Sequence, residues 1–163
     1  VTGRPTSVLF VCGENAVRSP MAEGILKKLR GDTIYVDSVG VREGAAHPIT
    51  AIVMQEIGVD LSRHAPKRLA DLLDTSFDLI VTLTPEAHHQ ALELTRTSAV
   101  EVEYWKLGDP AAVEGSREVV LAAYRALRDD LVRRIGERFA AADRDQERRV
   151  GAESAAPSGA ESA

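Results

Sequence analysis

A single cysteine, Cys12, stands among the 163 residues. One thiol excludes an intramolecular disulfide and an all-thiolate metal site, and it leaves Cys12 either a small buried hydrophobe or a reactive group. A basic excess is also missing, since 20 Lys and Arg stand against 25 Asp and Glu for a formal net charge of −5. Such a chain lacks the cations that neutralise successive phosphates along nucleic acid, so nucleic acid is not the expected partner. No stretch approaches the roughly 18 apolar residues of a bilayer span, and no charged-then-apolar leader opens the chain. The expected setting is cytoplasmic, without a membrane partner. Aromatic residues make up only 4% of the chain, so a ligand held by ring stacking would find few rings.

What is present is a regular alternation of short apolar runs and longer segments with helical spacing. Residues 7–11, 33–38, 77–82 and 99–104 read as strands because they are short and rich in β-branched or aromatic side chains. Helices are expected over 19–30, 48–57, 85–94 and 116–139. The first has Ser19 as N-cap before Pro20, with Met21, Ile25, Lys28 and Leu29 on one face. The second has Ile49, Ile52, Val53 and Ile57 together and stops at Gly58, a good left-handed terminus. In the last, Val120, Tyr124, Leu127, Leu131, Ile135 and Phe139 recur every three or four residues. Alternating strand and helix imply an α/β fold, here a small doubly wound four-stranded parallel sheet with helices on both faces. The domain is expected over 1–139. Residues 140–163 hold Val150 as their only branched or long aliphatic side chain, too little to offset the entropy of ordering, so they read as a disordered tail.

In such a sheet ligands bind beyond the carboxyl ends of the strands, which directs attention to the loop after the first strand. It reads Cys12, Gly13, Glu14, Asn15, Ala16, Val17, Arg18, Ser19, a C-x5-R-S pattern between a strand and a helix start. Free N–H groups of a short loop and a helix N-terminus make a cradle for a tetrahedral oxyanion. The same positive field favours thiolate over thiol at Cys12. Arg18 can grip two anion oxygens at once, which a lysine could not. Cys12 and Arg18 are therefore candidate catalytic residues, and residues 13–19 a candidate phosphate-binding loop.

The run from Val8 through Cys12, Asn15 and Arg18 to Gly24 resembles the active-site segment of low-molecular-weight protein tyrosine phosphatases and the related thioredoxin-linked arsenate reductases. The resemblance continues through Ser38 to Gly40, Glu56 to His64, Phe77 to Val81, Trp105, and the Asp109-Pro110 pair. It implies a metal-free and cofactor-free phosphomonoesterase acting through a cysteinyl-phosphate. Cys12 would be the nucleophile and Asp109 the proton donor to the leaving oxygen. Arg18 and the loop N–H groups would hold the phosphoryl oxygens. Ser19 would donate to the thiolate, while Asn15 and His64 would brace the loop. The substrate would be a phosphorylated protein or a small aryl phosphate.

Several positions depart from that pattern. Gly13 and Glu14 stand in reverse of the usual order, which puts a carboxylate near the anion site. Val17 replaces a second loop cysteine that protects the nucleophile in many relatives. Val41, Arg42, Glu43, Ala111 and Ala112 stand where the phosphatases place aromatic walls, leaving Tyr104 or Trp105 to compensate. His47, His88 and His89 read as packing or surface residues, and Lys67 with Arg68 as a solvated loop. A relay through internal cysteines is impossible with one thiol. The second reading is thus an arsenate reductase that borrows an external small thiol, and the third a weakly active oxyanion-binding module.

Overall fold

The computed structural model describes residues 4–72 and 76–154, the stretch from 140 onward as backbone only. Four parallel strands, β1 (Ser7–Cys12), β2 (Tyr35–Gly40), β3 (Leu79–Thr82) and β4 (Glu101–Tyr104), lie in the order β2-β1-β3-β4. Between and after them run α1 (Arg18–Arg30), α2 (Pro48–Gln55), α3 (Pro85–Leu94) and α4 (Arg117–Ser154). Short 3₁₀ turns cover Leu69–Asp71 and Pro110–Ala112.

β1 is apolar throughout because it is central and covered on both faces. Its alternate residues divide between two cores. Val8, Phe10 and Cys12 pack with Met21 and Leu26 of α1, Val53 and Met54 of α2, and Leu131 and Ile135 of α4. Leu9 and Val11 pack with Phe77, Ile80 and the small Ala87 and Ala91 of α3. Full burial of each such large side chain contributes about 1.5–3 kcal/mol.

The strands after β1 begin two residues later than the sequence pattern implies. The ladders open with Ser7 opposite Tyr35, Val8 opposite Leu79, and Leu79 opposite Glu101. The helix faces also shift. Ile52 is 40% exposed, and Thr50, Val53 and Met54 form the buried side of α2 instead; Leu29 is likewise exposed while Leu26 is buried. Gly58 takes φ +79° as the turn after α2 requires. The helical backbone of α4 continues past residue 139 to Ser154, through a stretch of Ala, Arg, Gln and Glu that forms helix well. The expected tail thus falls on this helix over 140–154 and outside the described residues over 155–163.

Helix α2 is tied to α4 by charge. Glu56 accepts from Arg125 Nη2 and from Arg128 Nη1 at 2.7 Å each, and Arg128 Nη1 also reaches the Val53 carbonyl at 2.9 Å. Hydrogen bonds from Arg125 and then Arg128 lower the Glu56 carboxyl from 4.5 to about 2. A carboxyl depressed on folding stabilises the fold above its unfolded value and loses that contribution as pH falls toward the folded one. Between pH 5 and pH 2, wild type is therefore expected to lose more stability than Glu56→Gln, measured by urea denaturation across that range. Parallel pH profiles would show that the clamp adds nothing.

Candidate active site

The site begins where β1 ends. Cys12 pairs with Gly40 across the sheet, and the chain then turns back over β2 so closely that a Cβ at Gly40 would sit 2.7 Å from the Asn15 nitrogen. Only glycine leaves room for that crossing. The sheet pairing also runs on into the next segment, since Val41 N donates to Cys12 O and Arg42 N to Gly13 O, both at 3.0 Å.

Asn15 holds the turn. It adopts φ +56°, a left-handed conformation that asparagine tolerates better than most residues. Its side-chain amide donates to Ser19 Oγ at 2.8 Å and to Ser38 Oγ at 2.9 Å, and its Oδ1 accepts from Lys67 N at 3.0 Å. His64 Nε2 lies 2.8 Å from the Asn15 carbonyl oxygen and donates to it. Ser38 in turn donates to Glu23 Oε1, so the buried side chains of Asn15, Ser19 and Ser38 are all hydrogen-bonded.

The same network reaches the sulfur. Ser19 Oγ accepts from Asn15 and lies 2.9 Å from Cys12 Sγ and 3.4 Å from the Val39 carbonyl oxygen; toward a Cys12 thiolate, which has no proton to give, the serine hydroxyl is the donor. The Asn15 backbone N–H also points to the sulfur, at 3.3 Å. The same contact corrects the expected N-cap: the capping residue of α1 is Val17, which supplies no side-chain cap. Ser19 lies inside the first turn, buried, with its hydroxyl turned to the thiol rather than to the helix N-terminus.

Above the thiol is a concavity of about 110 Å³ that Cys12, Gly13, Arg18, Arg42, His47 and Asp109 help to line, with Glu14, Ala16 and Val17 of the loop. Arg18 is half-buried and has no hydrogen-bond or ion-pair partner among the described residues. Asp109 caps the following 3₁₀ turn, with Oδ1 accepting from Ala111 N at 3.0 Å; one carboxylate oxygen is held while the other remains for a proton. Glu14 is exposed at the rim, 3.7 Å from Arg42 Nε. Arg42 Nη1 is gripped by both oxygens of Glu86 at 2.9 and 2.7 Å, and that pairing raises its basicity.

The sequence pattern gave no reason to place His47 or Lys67 here, nor to assign the contacts of Arg42, Ser38 and Glu23. The positions of His47 and Lys67 depend on the 41–47 and 64–67 segments folding back over the loop, which no local spacing encodes. His47 Nδ1 lies 3.3 Å from the Tyr124 hydroxyl. Burial, and then the charge of Asp109, push the Tyr124 phenol up, so it stays protonated. Lys67 and Arg68 are not merely solvated, because Lys67 Nζ binds Asp37 at 2.6 Å and Arg68 pairs with Asp71. Tyr104 stacks on His88, centroids 5.2 Å apart, and Trp105 packs on Phe10. Neither ring replaces the missing walls, and no Phe, Tyr or Trp is among the residues lining the concavity. Among the described residues, no cluster of three or more His, Cys, Asp or Glu could hold a metal, and no helix is long and apolar enough to cross a membrane.

Comparison with known proteins places this geometry. A family model described as low molecular weight phosphotyrosine protein phosphatase matches residues 7–148. An arsenate reductase of Halalkalibacterium halodurans is 35% identical over 128 residues, covering 78% of this chain and 91% of that protein. Among solved structures, an arsenate reductase in its oxidized state is 26% identical with a TM-score of 0.69, over 84% of this chain and 98% of that one. A low molecular weight protein tyrosine phosphatase from T. tengcongensis is also 26% identical, with a TM-score of 0.65, over 80% of this chain and 95% of that one.

Replacing Asn15 with alanine removes three side-chain hydrogen bonds and forces a left-handed backbone on a residue that disfavours it. The expected cost is about 3 kcal/mol in chemical denaturation. Asn15→Gly should recover only the backbone part. Equal stability of wild type and Asn15→Ala would remove Asn15 as the anchor of the loop.

Proposed function

Because the chain belongs to the low molecular weight phosphotyrosine protein phosphatase family, we propose that it hydrolyses phosphomonoesters through a cysteinyl-phosphate. The Cys12 sulfur, already an acceptor from Ser19 and the Asn15 N–H, attacks phosphorus; an S–P bond forms as the P–O bond to the leaving group breaks. Asp109 gives its proton to the departing oxygen. Its carboxylate then takes a proton from water, whose oxygen attacks phosphorus and releases the thiolate and inorganic phosphate. Arg18 and the loop N–H groups hold the three equatorial oxygens throughout. The observation that carries this reading is the doubly hydrogen-bonded sulfur in the floor of a concavity shared with Asp109 and with an Arg18 that lacks a protein partner.

A phosphorylated protein or a small phosphate ester is the substrate class of this reading, and the cytoplasm its setting, where thiols are kept reduced. Arsenate reduction has its own support in the 35% identity to a protein named arsenate reductase and in a concavity of about 110 Å³ without rings. That volume is well below the roughly 300–1,000 Å³ of sites for larger organic ligands. In that chemistry Cys12 displaces hydroxide from arsenate. An external thiolate then attacks the Cys12 sulfur, forming a mixed disulfide while arsenic leaves with the bonding pair as arsenite. A second external thiol must clear the disulfide, because the chain has no other cysteine.

The purified protein is expected to hydrolyse p-nitrophenyl phosphate in the presence of EDTA, and Cys12→Ser to abolish it. Asp109→Asn should slow esters with poor leaving groups by about 10²–10⁴-fold and spare p-nitrophenyl phosphate more. If wild type and Cys12→Ser are equally inactive on phosphate esters but differ in arsenite formation with added thiols, the reductase reading replaces the phosphatase one.

A further inference from the structure

His47 stands as a ridge between two recesses. On one side is the concavity over Cys12; on the other is a second recess of about 160 Å³, walled by Pro20, Ala46, Pro48, Ala51 and Leu61. Ala16 and His47 line both, so the two recesses adjoin across the oxyanion loop. We propose that the side recess is the subsite for the organic part of the substrate, taking a compact apolar group no larger than about a benzene ring.

Four observations converge on this assignment. The space directly over the thiol suits a tetrahedral oxyanion and has no Phe, Tyr or Trp to stack a planar group. The adjoining recess is predominantly apolar, and its volume compares with the roughly 150 Å³ apolar cavity that accepts benzene in another protein. The ridge is fixed in place, because His47 is bonded to Tyr124 at 3.3 Å and α2 is clamped to α4 through Glu56. The recess wall also holds an unmet polar group: Thr50 is 3% exposed and its hydroxyl has no hydrogen-bond partner among the described residues. A leaving oxygen departs opposite the sulfur, beside Asp109. The group attached to it then turns over His47, leaves the charged rim of Glu14 and Arg42, and buries its apolar surface against Pro20, Pro48 and Leu61.

The assignment rests on the phosphomonoester reading only for what the apolar group is attached to, and phosphonates separate the two, since their C–P bond is not hydrolysed. Titration calorimetry on the full chain with methyl-, propyl- and phenylphosphonate reads binding without turnover. Each methylene buried is worth up to about fourfold, so with its two added methylenes partly buried propylphosphonate is expected to bind about tenfold tighter than methylphosphonate, and phenylphosphonate at least as tightly as propyl. Ala51→Leu and Ala46→Leu fill the recess from different elements. Either one, shown to be folded by circular dichroism, should erase the tenfold gain while methylphosphonate affinity stays within about twofold. No gain from methyl to propyl in wild type, or an equal weakening of all three ligands in a folded variant, overturns the subsite. If the size dependence holds but p-nitrophenyl phosphate is not hydrolysed, the phosphatase reading fails and the subsite stands; hydrolysis without size dependence is the reverse.

Discussion

The left-handed turn at Asn15 is the constraint on which the site depends. A loop of five residues between a buried strand and a helix must reverse direction while aiming its N–H groups inward. Asn15 makes this possible by adopting positive φ and by offering a side chain that bonds in three directions. Each bond reaches a different part of the chain: Ser19 on α1, Ser38 on β2, and the backbone at Lys67. The loop geometry is therefore set by the packing of the sheet and not by the loop alone. The hydrogen bond from Asn15 to Ser19 also connects that backbone constraint to the Cys12 sulfur, 2.9 Å from the serine hydroxyl.

The remaining architecture keeps those three directions aligned. Gly40 lets the loop pass directly above β2, and its own N–H binds the Lys67 carbonyl, which brings the 64–67 segment against the strand edge. His64 then reaches the Asn15 carbonyl from the same segment. On the far side, α4 supplies Tyr124 to His47 and two arginines to Glu56. The surface-exposed part of that clamp is weak in isolation. Its effect comes from joining α2 to a helix whose Leu131, Ile135 and Phe139 are fully or almost fully buried.

Charge at the site is arranged by pairing and by its omission. Arg42 is close to the thiol but held by Glu86 and Glu14, whereas Arg18 has no ion-pair partner among the described residues. An unpaired guanidinium over an oxyanion cradle is costly without an anion and strongly favourable with one. Glu14, in a place where a carboxylate would oppose phosphate, is turned to the rim and faces Arg42 instead. The walls are polar or small throughout, which moves the question of specificity away from ring stacking and toward the apolar recess behind His47.

Local pattern was enough for the elements whose information is local. The apolar run of β1, the spacing of Tyr124, Leu127 and Leu131, the terminus at Gly58 and the Cys12 to Arg18 interval are all properties of neighbouring residues. They determined the α/β class, the position of the oxyanion loop and the identity of its thiol and guanidinium. Strand starts were displaced because pairing, and not propensity, defines where a parallel strand begins. Ser19 left its expected capping role because a buried sulfur lay closer to its hydroxyl than the helix terminus did. Ser38, Lys67, Arg42 and His47 could be assigned only in three dimensions. Their contacts join residues separated by 23 to 77 positions, and no periodicity in one strand or helix records such a meeting. The sequence by itself determined which atoms are candidates for the chemistry; the tertiary structure decided what those atoms touch, what shares the pocket, and which recess adjoins it.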